Sequence, residues 1–126
     1  MSSSAFVSVV DDDESVRESL PALLRELGYV VEVYASAEEF LVSDRARDTR
    51  CLILDIFLRG MTASEFIREL ADRRLAVPTI FITAHSDEEL RSRLLSEGAV
   101  ECLFKPFSDT ALIAALDAAF RIQRLH

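Results

Sequence analysis

The chain has little glycine, little cysteine and a deficit of positive charge. With only three glycines among 126 residues, half of them hydrophobic and 29% charged, a fibrous or low-complexity chain is excluded and an ordinary globular one is left. The two cysteines, Cys51 and Cys102, both fall inside apolar runs. They are expected as buried free thiols in a reducing compartment, not as a disulfide framework. Fourteen Lys and Arg against 22 Asp and Glu give a net charge of −8. That balance argues against direct nucleic-acid binding, which rests on cations neutralising phosphates, and fits a site that concentrates carboxylates for a cation. No apolar run approaches the roughly 20 residues of a membrane-spanning helix. Residues 1–4 (MSSS) lack the basic start of a signal peptide, so no membrane partner and a cytoplasmic location are expected.

What the chain does have is alternation. Short apolar, β-rich runs occur at Ala5–Val10, Tyr29–Tyr34, Cys51–Asp55, Val77–Thr83 and Val100–Phe104. Between and after them lie amphipathic segments with helical spacing. Val16, Leu20, Leu23, Leu24 and Leu27 mark the first, and Gly28 is expected to end it. Pro21, beyond the first turn, is expected to kink that helix. Ser36 with Glu39, Thr62 with Glu65 and Ser86 with Glu89 have capping-box spacing and open the next three helices. Ser108 begins the last, with Leu112, Ile113, Leu116 and Phe120 on one side, while the polar residues 43–50 read as a loop. Five strands alternating with five helices predict one α/β domain over residues 1–126, a doubly wound five-stranded parallel sheet covered on both faces.

In such a sheet, chemistry gathers at the carboxyl ends of the strands. Four of the five ends carry a polar residue there: Asp11 and Asp12, Asp55, Thr83 and Lys105. Three carboxylates in one crevice repel, so either one takes up a proton or a cation joins them. Ligands that are all oxygen suit a hard ion, with Mg²⁺ the natural choice. Lys105 could pair with a carboxylate or with a transferred phosphoryl group. The Thr83 hydroxyl could hydrogen-bond the oxygens of that group, and Asp55 could be the nucleophile that takes it.

The segments VVDDDESVRESL, GYVVEVYASAEEFL, LILDIFLRGMTASEF, IFITAHSD and GAVECLFKPF appear in an order and spacing that resemble the receiver domain of two-component response regulators. Within that family the chain is most similar to FixJ-type receivers, which usually precede a helix-turn-helix output domain. The resemblance implies a flavodoxin-like (βα)5 fold with strand order 2-1-3-4-5. It implies Asp55 as phosphoacceptor, fed by a sensor histidine kinase. Asp11, Asp12, Asp55 and the backbone carbonyl of Phe57 are implied as Mg²⁺ ligands, Thr83 as the switch hydroxyl and Lys105 as the phosphoryl contact. It also implies a cis Lys105-Pro106 peptide, an output domain or downstream protein as partner, and a weak phosphorylation-dependent homodimer through the fourth helix and fifth strand. The expected activity is self-phosphorylation and slow self-dephosphorylation, without turnover of a separate substrate.

Several positions depart from the family pattern. Arg59 stands where the loop after Asp55 usually has Pro, and Ala63 where it has Gly. Cys102 occupies the place of the usual switch aromatic, whose volume a cysteine cannot fill, so the output signal is expected to travel through other side chains of the fourth helix and fifth strand. The resemblance implies that the residues two places after Asp55 and Thr83, here Phe57 and His85, line the approach of hydrolytic water. Phe57 is expected to shield the acyl phosphate, and His85 to orient water or crowd the site. A haloacid-dehalogenase-type phosphatase would need a second Asp where Phe57 stands. A flavodoxin-like cofactor binder would need a phosphate-cradling loop where the chain has DDDES. A receiver that binds partners without phosphorylation is the remaining alternative.

Overall fold

In the computed structural model, the described residues are 6–10, 14–57 and 60–124, with the side chains of 14–19 and 123–124 left aside. The elements alternate without exception: β1 (Phe6–Val10), α1 (Glu14–Glu26), β2 (Val30–Tyr34), α2 (Ala37–Leu41), β3 (Cys51–Asp55), α3 (Ala63–Asp72), β4 (Thr79–Thr83), α4 (Glu88–Ser96), β5 (Glu101–Phe104) and α5 (Asp109–Arg124). The strands form one parallel sheet in the order β2-β1-β3-β4-β5, the arrangement the sequence predicts.

The sheet's interior strands are buried along nearly their whole length, which is why β1, β3 and β4 read as mainly apolar runs with little alternation. Successive side chains alternate between faces. Leu52, Leu54 and Phe81 pack with Phe40 and Phe66 of α2 and α3 and with Leu94 of α4. Val7, Val9, Ile53, Ile80 and Ile82 pack on the other side with Leu20 and Leu24 of α1 and Leu112 and Leu116 of α5. Each of these fully buried side chains contributes about 1.5–3 kcal/mol of transfer free energy. Cys51 and Cys102 are buried free thiols, as expected.

The ends of the elements differ in detail from the pattern in the sequence. β2, β4 and β5 begin one or two residues later than their apolar runs. The helix α1 runs on through Pro21 as one element and stops at Glu26, which leaves Leu27 39% exposed beyond it. Thr62 forms the full capping box, its hydroxyl accepting from Glu65 N at 3.0 Å while Glu65 Oε1 accepts from Thr62 N at 2.7 Å. Ser36 caps α2 by accepting from Glu39 N at 3.1 Å. The cap of α4 is Asp87, not Ser86: its carboxylate accepts from Leu90 N at 3.1 Å. A carboxylate is the stronger acceptor for N–H groups at a positive helix end. On α5 the inward face is Leu112, Ala115, Leu116 and Ala119, with Ile113 rotated outward to 36% exposure. Residues 43–50 contain a 3₁₀ turn at Ala46–Asp48, with Ala46 and Thr49 buried beneath an otherwise polar surface.

Candidate functional site

Asp55 ends β3, the middle strand of the sheet. Its main chain is braced from both sides: β1 pairs with β3, and beyond Asp55 the Ile56 N–H donates to Ile82 O of β4 at 3.0 Å. The side chain is 15% accessible, open enough to react and enclosed enough to be held. Each carboxylate oxygen has a partner. Oδ1 accepts from Phe57 N at 2.8 Å, closing a turn typical of aspartate, and Oδ2 accepts from Lys105 Nζ at 3.1 Å.

Lys105 follows β5 and joins Pro106 through a cis peptide bond. Its main-chain N–H donates to Thr83 O at 2.7 Å, which fixes the root of the side chain against the end of β4. Thr83 is 1% exposed, and its hydroxyl accepts from His85 N at 3.0 Å. Among the described residues the hydroxyl proton of Thr83 has no acceptor. A buried hydroxyl with an uncommitted proton at a charged strand edge is a donor waiting for an oxygen.

The structure therefore brings Asp55, Thr83 and Lys105 to one edge, as the sequence implies. Asp11 and Asp12 lie outside the described residues, as does Arg59. Among the described residues no group of three or more His, Cys, Asp or Glu is disposed to hold a metal. The expected donors that are described, the Asp55 carboxylate and the Phe57 carbonyl, are both oxygens. That chemistry fits a hard divalent cation.

Phe57 and His85 meet across the mouth of this edge. Phe57 is 59% exposed, and its ring lies edge-on to the imidazole, with centroids 5.2 Å apart. The spacing in the sequence singles out both residues but not their contact.

Cys102 is 2% exposed and packs with Phe81, Leu94 and Leu54. Burial pushes its thiol up from 9.0 to about 11, with Arg91 pulling it back and Glu101 and Glu88 adding to the rise. Around it stands a polar clamp that the sequence pattern does not reveal. Arg91 of α4 reaches Glu101 of β5 at 2.7 Å, and Glu101 Oε1 also accepts from Cys102 N at 2.9 Å. Arg91 is 3.6 Å from Glu88 on its own helix as well. These residues cross from one element to another, so no periodicity marks them.

Comparison with known proteins agrees with this fold. The family model for the response regulator receiver domain matches residues 7–117. Nodulation protein W of Bradyrhizobium diazoefficiens is 42% identical over 118 residues, which cover 94% of this chain and 52% of that protein. The transcriptional regulatory protein FixJ of Rhizobium meliloti is 38% identical over 115 residues, covering 90% of this chain and 55% of the relative. The chain thus spans about half the length of these curated relatives. A crystal structure of FixJ-N superposes with a TM-score of 0.83 at 36% identity, covering 96% of both chains. The chain belongs to the receiver-domain family of two-component response regulators, among its FixJ-like members.

Proposed function

We propose that Asp55 accepts a phosphoryl group from a phosphohistidine of a sensor histidine kinase. A carboxylate oxygen attacks phosphorus, the P–N bond breaks, and the departing imidazole takes up a proton. One observation carries this reading. At the tip of the central strand stands a partly enclosed carboxylate with an ammonium 3.1 Å from it, and the adjoining strand β4 ends in a buried hydroxyl whose proton has no acceptor among the described residues. Lys105 offsets the charge of the acyl phosphate, and Thr83 donates its proton to a phosphoryl oxygen. Asp11, Asp12, Asp55 and the carbonyl of Phe57 would hold Mg²⁺, which when bound would offset negative charge on donor and acceptor.

The phosphoryl group adds about −1.5 to −2 charges and strong acceptor oxygens at one edge, and so biases any element with two arrangements. In this reading the response passes from Thr83 to the α4–β5 face, where Arg91 and Glu101 stand in place of an aromatic signal at Cys102. The recipient is an output domain or a downstream protein, and a weak homodimer forms through the same face. The greater length of FixJ, a transcriptional regulatory protein, favours transcriptional regulation by a domain outside residues 1–126. This domain does not itself contact DNA. It modifies and demodifies itself in the cytoplasm, with no turnover of a separate substrate. Among the described residues no helix is long and apolar enough to cross a membrane.

Incubation with acetyl phosphate and Mg²⁺, followed by intact mass measurement, tests the assignment. Wild type should gain one phosphoryl group and Asp55→Asn none. Equal modification of the two would overturn it.

A further inference from the structure

At the opposite edge of the sheet from Asp55, the first residues of β1 and β2 and the approach to β3 border a cavity of about 540 Å³. Its apolar part is Phe6 and Val30; its rim carries Arg45, Arg47, Asp48 and Arg50. In a chain where acids outnumber bases 22 to 14, three arginines within six residues share one concavity. None of the three makes an ion pair among the described residues; the arginines that do are Arg73 and Arg91.

These arginines are mounted on fixed backbone. Thr49, 2% exposed, donates its hydroxyl proton to Arg45 O at 3.1 Å, so the 2.7 Å bond between Thr49 and Ser8 takes its proton from Ser8 inside β1. The Arg50 N–H donates to Phe6 O at 2.8 Å. The Arg45 guanidinium lies over the Phe6 ring, 5.4 Å from its centroid, which holds that side chain at the cavity wall. For Arg45, a guanidinium held in place before a ligand arrives lowers the entropy lost on binding, while Arg47 and Arg50 add exposed charge on the same rim.

Guanidiniums match oxyanions with two parallel N–H donors, and like charges gathered in a concavity focus their field on whatever enters it. We propose that this cavity binds a small polyanion carrying two or more phosphate or carboxylate groups, independently of Asp55. Its volume falls in the roughly 300–1,000 Å³ range of small-molecule sites. A nucleic acid is disfavoured because the chain around the cavity is strongly acidic. Asp48 on the same rim provides an acceptor for a hydroxyl or amine of the ligand.

The test is a ¹H–¹⁵N NMR titration of the whole chain without Mg²⁺ at constant ionic strength. Sodium tripolyphosphate is the probe in one arm and sodium citrate in the other. Saturable shifts at residues 45–50, Phe6 and Val30 are expected in at least one arm, and the arm that saturates tells phosphate from carboxylate. Arg47→Gln with Arg50→Gln should weaken that binding about tenfold or more, since each lost guanidinium removes charge-assisted bonds. Both side chains are exposed and unpaired, so the variant should keep the wild-type spectrum. The two single variants replace it if it does not. Shifts centred on Asp55, no saturation in either arm, or unchanged affinity in the variants would overturn the proposal. So would binding of a hexaglutamate peptide alone, which would make this a protein-docking surface.

Discussion

The Phe57 ring packs edge-on against the His85 imidazole, with planes at 75°, beside a carboxylate that is bonded to the main chain of Phe57 itself. Two residues that the sequence treats separately therefore form one cover. Edge-to-face pairs contribute about 0.5–1.5 kcal/mol beyond burial. If water reaches the acyl phosphate only when the pair parts, Phe57→Ala and His85→Ala should each speed hydrolysis by about two- to tenfold. The double variant should be no faster than the faster single one. Loss of acid-labile phosphate after donor removal measures this. Multiplicative effects would mean that the two side chains act separately.

The Arg91–Glu101 clamp joins α4 to β5 beside the buried Cys102. Both side chains are about a third accessible, so the pair should contribute about 1 kcal/mol or less. Urea unfolding of Arg91→Ala, Glu101→Gln and the double variant should give a coupling energy of that size, falling with added salt. Zero coupling at low salt would remove the clamp from any account of the α4–β5 face.

Alkaline conditions should expose the burial of Cys102. The folded thiol ionises near 11, against 9.0 ordinarily. Below pH 9 the thiol is neutral in both states and its stabilising contribution is complete. As pH rises from 9 towards 11 only the unfolded thiol ionises, and up to about 3 kcal/mol is lost. Cys51, raised further by complete burial, adds in the same direction. Denaturation at pH 8 and pH 10.5 should show a smaller loss for Cys102→Ala than for wild type. Equal losses would contradict the shift.

The cap of α4 offers a direct comparison of neighbours. Asp87→Ala should cost about 1 kcal/mol and Ser86→Ala close to nothing, although Ser86 has the better-looking partner in Glu89. Thermal melts of the two variants decide between them. A larger loss for Ser86→Ala would restore the serine as the cap.

That cap illustrates where sequence reading stops. Two good capping residues stand side by side, and only the folded helix, with the Leu90 N–H on the Asp87 carboxylate, tells them apart. Ile113 is similar: it adjoins Leu112, and the phase of α5 is fixed only once the small residues Ala115 and Ala119 count as buried. By contrast, β1, β3 and β4 announce themselves because strands enclosed on both faces are mostly apolar, admitting a polar side chain such as Ser8 only where it finds a partner. The edge residues Asp55, Thr83 and Lys105 were equally legible, since parallel strands send all their carboxyl ends the same way. Arg91 with Glu101, and Ser8 with Thr49, were not. Those pairs lie 10 and 41 residues apart and depend on register.

Three bonds described separately at the sheet edge make a closed circuit. Asp55 holds Lys105 by its side chain, Lys105 holds Thr83 by its main chain, and β4 returns to β3 through Ile82 and Ile56. A closed loop of this kind cannot be loaded at one point alone. A displacement at any member is shared by the other two, so the carboxyl ends of β3, β4 and β5 respond together.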